Sequence, residues 1–593
     1  MLQFLTFDLM NWNPACPFRC RRLQTRSVLV FALCFATPQT HAQRGLEANA
    51  TPTWSEAIAD YSALATSHPE RTSLEVFGTS DVGRPLHLFT LGPDSAALRI
   101  LVNNAIHPGE PCGVNACIAW ARALLAAPEG LPADVCIGIV PMYNIGGGLR
   151  RNCCTRANQQ GPEEYGFRGN ARNLDLNRDF IKCDSRNALS FNKMFTEFAP
   201  DIFVDTHTSN GADYQPVLTL ISTQPDKLGG SLGPWIEGTF NPLLYAGMDA
   251  AGHPMIPYVN SMGATPDEGI VDFLETPRYS TGYGALHHAI GYTTEAHMLK
   301  PFPERVAATQ QFLDVLLNLA QEHAETIHSL RTKQHTDFLG LDVAPIAWAV
   351  DTTAIDSLNF PGYTARYEWS NVTGERRLKY DRDAPYLKSI PHLHTFKPSR
   401  TAPVPAAFVV PQAWRHVIER LEANGVTSKE VPADTSWTLE VTSILRHAAS
   451  GRPYEGHHYR SVEEVSRQME PVQLFAGDRI IPLDQPAARY LMETLSPQGV
   501  DAFMAWNFFD SALQQKEYFS SYVFEETAEA MLSQDPQLKL AFEAAKADAA
   551  SDKPMSPRQQ LDWIYKRSPH YEETDARYPI YAVPKGQPIP FDE

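Results

Sequence analysis

The stretch LRILVNNAIHPGEPCGVNACIAWARALLAA, residues 98 to 127, decides how this chain is read. Its opening LRILVNNAI (98–106) predicts a buried strand, and its close GVNACIAWARALLAA (113–127) predicts the helix that follows. Between them, Pro108 and Gly109 form a turn with His107 and Glu110 on either side. Short His/Glu spacings are common, so this pair taken alone is equally a polar loop or half of a metal site. A strand feeding a helix is the unit of an α/β sheet, and such sheets build their sites at the carboxyl ends of strands.

Outward from this stretch the alternation continues. VCIGIVPMYNI (135–145), DIFVDTHT (201–208) and GYTTEAHM (291–298) predict further strands. PERVAATQQFLDVLLNLAQEHAETIHSL (303–330) has apolar residues at helical spacing and Pro303 near its start, which predicts one long helix. From Trp54 to about His335 the pattern is therefore α/β, with a mixed, mostly parallel sheet flanked by helices. Beyond that the texture changes. Residues 340–410 are rich in Pro, Tyr and Thr, PQAWRHVIERLEANGV (411–426) predicts a helix ending at Gly425, 437–482 reads as β-rich, and 485–550 as helical. The expected organisation is a catalytic domain over 43–335 and an α+β accessory C-terminal region, β-rich then helical, over 336–593.

Composition bounds the function. At 593 residues and 43% hydrophobic content the chain has material for two or three domains. A net charge of −18 argues against a nucleic-acid binder, which needs excess Lys and Arg against phosphate. RCRRLQTRSVLVFALCFATPQTHAQ has a basic start, a short apolar run and a small-residue end, which reads as a secretory signal removed after Ala42. Residues 1–42 carry four Arg and one Asp, so their loss would move the charge from −18 to −21. The mature protein is expected to be exported, periplasmic or extracellular, with no integral membrane segment. Cys112, Cys117, Cys136, Cys153, Cys154 and Cys183 would remain. An even count in an oxidising compartment points to disulfides or buried thiols, and the spacings match no common zinc-finger pattern.

A third metal ligand should come from another strand end, and His207 in FVDTHTSNG stands in that relation to its strand. Two His and one carboxylate leave an open position, as in catalytic zinc sites. His253, His287, His288 and His297 lack such a setting and read as structural or surface residues. Glu295 ends an apolar strand, either in a salt bridge or as the base that deprotonates a zinc-activated water.

The order HPGE (107–110), LDLNRDF (174–180), DTHT (205–208) and TEAH (294–297) resembles the zinc carboxypeptidase family over roughly residues 55–330. The resemblance implies that His107, Glu110 and His207 bind one Zn2+ and that Glu295 is the general base. It further implies that Asn177 and Arg178 grip the substrate's terminal carboxylate, and that Asp175 orients His107. A guanidinium fork suits a carboxylate, and a ligating histidine usually donates its second N–H to an acceptor. Arg156 would stabilise the oxyanion, with Arg150, Arg151 and Arg168 as nearby alternatives.

The family's substrate-capping tyrosine has no counterpart at the usual spacing. Tyr283 is taken for it, and Tyr279 is the other choice. Arg278 reads as a specificity contact or a plain surface residue, EGHHYR (455–460) as a polar surface stretch, and the aromatics of NFFDSALQQKEYFSSYVFEE (507–526) as a helical core. The implied function is an exported zinc metallocarboxypeptidase acting on peptides with a free C-terminus. The alternatives are a hydrolase of cell-wall (murein) peptides or other amides, and a non-catalytic peptide-binding module.

Overall fold

The computed structural model describes residues 49–127, 131–132, 134–549 and 553–589; the predicted signal segment lies outside the described residues. Helix α1 (Trp54–Ser67) leads into strands β1 (Thr72–Thr79), β2 (Pro85–Leu91) and β3 (Leu98–Asn103). Helix α2 (Cys112–Ala126), β4 (Val135–Val140), α3 (Arg186–Phe198), β5 (Ile202–His207), β6 (Leu218–Ser222) and β7 (Met255–Pro257) follow. Helix α4 (Ser280–Leu286), β8 (Ile290–Ala296), α5 (Phe302–Glu322) and α6 (Ala324–Leu339) complete this part. The eight strands form one sheet in the order β1-β2-β4-β3-β5-β8-β6-β7. β4, β3, β5 and β8 run parallel at its centre, while β1–β2, β2–β4 and β8–β6 pair antiparallel. This is the mixed, mostly parallel sheet expected.

Of the central strands, β4 and β5 are buried along their whole length and β3 and β8 at all but one residue each, as a sheet covered on both faces requires. Period-2 alternation sorts their side chains between two cores. Ile100, Val102, Ile202 and Val204 enter one cluster with residues of α1, α2 and α5. Leu101 and Phe203 enter the other, with Phe191 and Phe195 of α3 and with Tyr283 and Leu286 of α4.

The segment expected to be one long helix is two. His323 stands between α5 and α6 at φ −107°, ψ 15°. Its ring packs edge-on against Trp235 and Phe240, which turns the chain there. The change of sequence texture near residue 335 falls inside α6 rather than between elements.

The C-terminal region is β-rich and then helical. It holds a hairpin of Asp356–Trp369 and Arg376–Leu393, and a six-stranded sheet that includes Thr435–Ala449 paired antiparallel with Arg460–Leu474. The helical reading of 485–550 is interrupted where Asp535 caps a new helix through the N–H groups of Gln537 and Leu538. This region is not a separate bead. Val410, Val417, Ile481, Leu491 and Trp506 belong to the same cluster as Leu101 and Phe203. The far end of the long hairpin adds to the short strand Ile270–Val271.

Candidate active site

Three adjacent strand ends assemble the site. β3 delivers the turn carrying His107 and Glu110, which closes by a Glu110 N–H to His107 carbonyl bond of 2.8 Å. β5 ends on His207, and β8 carries Glu295 directly opposite it in the parallel register. Parallel strands that begin together also end together, so residues distant in sequence meet at one rim.

At that rim the ligand atoms of His107, Glu110 and His207 all lie within 4.8 Å of one another, and all three residues are buried. His107 Nε2 is 2.8 Å from Asp175 Oδ1, and His207 Nε2 is 2.8 Å from Asp205 Oδ2. Carboxylates only accept, so each Nε2 carries a hydrogen, and Nδ1 is the nitrogen that can give its lone pair to a metal. Those Nδ1 atoms face the two Glu110 oxygens at 3.4 and 3.3 Å. His107 Nδ1 is a buried nitrogen with no hydrogen-bond partner. Two convergent imidazole lone pairs and a carboxylate, each imidazole backed by an acid, fit a zinc ion.

Asp205 went unread in the sequence. The signal was available: Asp205 and His207 are two apart on a strand and so share a face. Arg168 holds the other oxygen of Asp175 through Nε at 2.9 Å and reaches Glu110 at 3.4 Å. Arg156 donates to Glu110 Oε1 at 2.7 Å and to the Thr208 carbonyl at 2.8 Å, and Gln159 steadies its Nε at 2.6 Å.

A cavity of about 440 Å³ opens over this rim, faced by His107, Glu110, His207, Glu295, Asn177 and Arg178. Arg156 and Arg168 also face it. The side-chain Oδ1 of Asn177 accepts from the Ser280 N–H at 3.2 Å. The Arg178 guanidinium stacks 4.2 Å over the ring of Tyr279, which lines the cavity as well.

Tyr283 does not. It is fully buried in the middle of α4, stacked on Phe180, with its hydroxyl donating to Asn424 at 2.8 Å. The choice of Tyr283 is corrected on this point: α4 is wedged between the sheet and the C-terminal region, and every one of its residues is buried. Arg278 is not a surface residue either, since it donates to Asp501 at 2.7 Å and packs against Tyr459 and Trp506. His288 and His297 are buried and His287 is half-buried, all outside the cavity. Cys153 and Cys154 form a disulfide between neighbours, and Cys112, Cys117, Cys136 and Cys183 are buried thiols.

Electrostatics separates the carboxyl groups. Burial works to raise Glu110, but Arg156 and His107 outweigh it and hold the acid well below the usual range. Asp175 behaves likewise, with His107, Arg168 and Arg178 overriding its burial. For Glu295 the balance goes the other way, because His207 and Arg156 do not outweigh its burial. Burial pushes it up to about 8, His207 pulls it down, and Glu110 and Glu275 add to the rise. Glu275, another cavity residue that the sequence reading passed over, is also raised by burial. Acids held apart in this way mark candidate acid–base sites.

Comparison with known proteins gives one family and consistent relatives. The zinc carboxypeptidase family pattern matches residues 58–210. Carboxypeptidase 2 of Trichophyton equinum is 20% identical over 512 residues, covering 80% of this chain and 87% of the relative. Carboxypeptidase 2 of Trichophyton rubrum is 20% identical over 513 residues, with the same coverage of 80% and 87%. Among solved structures, a metallo-carboxypeptidase from Burkholderia cenocepacia aligns over 45% of this chain and 69% of its own, at 17% identity and a TM-score of 0.36. A metallo-carboxypeptidase from Pseudomonas aeruginosa, in complex with (2-guanidinoethylmercapto)succinic acid, aligns over 44% and 68%, at 17% identity and a TM-score of 0.35.

Proposed function

We propose, on the premise that this chain is a zinc carboxypeptidase, that it is exported and removes the last residue of peptides bearing a free C-terminal carboxylate. One observation carries the reading: the His107–Glu110–His207 cluster, the Glu295 carboxyl and the Arg178 guanidinium face a single cavity. No helix among the described residues is long and apolar enough to cross a membrane.

His107, Glu110 and His207 would hold one zinc ion, with Asp175 and Asp205 fixing the two imidazoles. Zinc, when bound, supplies Lewis acidity toward a carbonyl oxygen and a water. The remaining roles belong to the chain. Arg178 and Asn177 seat the terminal carboxylate and so set which amide bond reaches Glu295. Glu295 takes a proton from the attacking water and passes one to the departing nitrogen, a task suited to a carboxyl raised above its ordinary range. Arg156, beside the cluster, offers donors to the oxyanion that develops at the attacked carbonyl. Residues 49–339 carry these groups, and the C-terminal region is assigned the accessory part.

The test uses the zinc-loaded full-length protein and a peptide mixture, half with free and half with amidated C-termini, read by mass spectrometry. Single residues are expected to leave free ends only. Glu295→Gln is expected to slow this by about 100- to 10,000-fold with zinc content unchanged. Internal cuts would sink the carboxylate clamp. No cleavage would redirect the site to a cell-wall or other amide, or to peptide binding without chemistry.

A further inference from the structure

The stretch EGHHYR, expected to be a polar surface, sits against the candidate site. Residues 450–459 connect the paired strands Thr435–Ala449 and Arg460–Leu474, and Tyr454 and His457 pair across the tip. Glu455 and Gly456 between them both have positive φ, 49° and 85°, which closes a two-residue turn. This turn lies on the 175–184 segment at three points. Tyr454 Oη accepts from Arg178 Nε at 2.9 Å, Glu455 Oε2 accepts from the Asp175 N–H at 2.8 Å, and His457 Nε2 is 2.7 Å from Asp184 Oδ2.

We propose that the C-terminal region completes the carboxylate subsite, with Tyr454 as the residue that positions Arg178. The proposal rests on the reading of Arg178 as the carboxylate clamp. An arginine on a loop has four flexible torsions, and a clamp works only if its fork is held before the ligand arrives. Arg178 is held on three sides. Nε is bound by Tyr454, one Nη by the Asn177 carbonyl at 2.7 Å, and one face by the Tyr279 ring. The remaining guanidinium donors are left for a ligand in the cavity it faces.

Tyr454 is itself braced. Its ring stacks on Trp506 with planes 19° apart, and Arg278, anchored on Asp501, packs against the same aromatic group. Tyr454 is not among the cavity-lining residues. It therefore acts through Arg178, and only an intact C-terminal region can supply it.

The test is Tyr454→Phe in the full-length, zinc-loaded protein, which removes the phenolic oxygen and keeps the stacked ring. Binding of N-acetyl-L-phenylalanine and N-acetyl-L-arginine, each against its own C-terminal amide, is measured by calorimetry, alongside zinc content and Tm. The wild type is expected to prefer the acids, and the variant to lose about tenfold of that preference with amide binding unchanged. In turnover of free-ended peptides, KM should rise by a similar factor while kcat stays within about twofold, because the clamp grips ground and transition states alike. A variant that keeps the full acid preference overturns the proposal, as does one that weakens acids and amides equally. A wild type without acid preference would instead sink the clamp reading of Arg178 itself, and this proposal with it.

Discussion

Glu295 ends a buried strand where the cost of burying its charge outweighs the pull of His207 and Arg156, so its proton stays on up to about pH 8. A dication held by His107, Glu110 and His207 favours the charged form and draws that value down. In the proposed role Glu295 works only when deprotonated, so activity is lost as pH falls through its pKa. In the zinc-loaded protein kcat/KM should therefore fall on the acid side with a midpoint below 8, while zinc content stays constant across the range. A midpoint at 8 or above would place the cation too far away to act on Glu295. At this scale, candidate ligands that follow predicted strands were legible: His107, Glu110 and His207 each stand just beyond or at the end of an apolar run. Tyr279 and Tyr283 could not be told apart, because the start of a seven-residue helix decides which one faces the cavity.

At the scale of elements, α2 lies close against β5 at its first turn. A Cβ on Gly113 would fall on the Thr206 and Asn104 side chains, next to the strand end that carries His207. Thr206 already bonds Asn104 at 2.9 Å, so neither group yields freely. Gly113→Ala should destabilise the protein by about 1–3 kcal/mol, read by chemical denaturation, and lower its zinc affinity through the shifted His207. Unchanged stability would mean that helix and strand can part without cost. The central strands β3, β4, β5 and β8 and helix α2 were legible because apolar runs and their breaks are local signals, whereas the flanking β1, β2, β6 and β7 were not read. The division of α5 from α6 was not, since the ring contacts that turn the chain at His323 come from residues more than 80 positions earlier.

For the whole molecule, the C-terminal region is the outer cover of one sheet face. Asn424 accepts from Tyr283 at 2.8 Å and receives the Asn192 amide at 3.3 Å, tying it to both α4 and α3. A fully buried large apolar side chain contributes about 1.5–3 kcal/mol. Uncovering even a few of those shared with α3 and α4 approaches the stability of an entire domain, about 5–15 kcal/mol. A chain ending at residue 339 should therefore lose its cooperative thermal transition and its zinc-dependent activity, followed by calorimetry and limited proteolysis. A truncated chain that melts like the full-length protein would show that the cover is dispensable.

Alternating apolar runs with turns between them determined the class of fold, and four ordered motifs determined which residues meet at the strand ends. Both are properties of neighbours along the chain. What only the tertiary structure decided is what crosses the chain: the turn at Tyr454 reaching Arg178 across 276 positions, Asp501 reaching Arg278 across 223, and one core shared by the two halves. Such contacts leave no periodic trace in the sequence. They form because one sheet has two apolar faces, and the second is covered by elements from the far end of the chain.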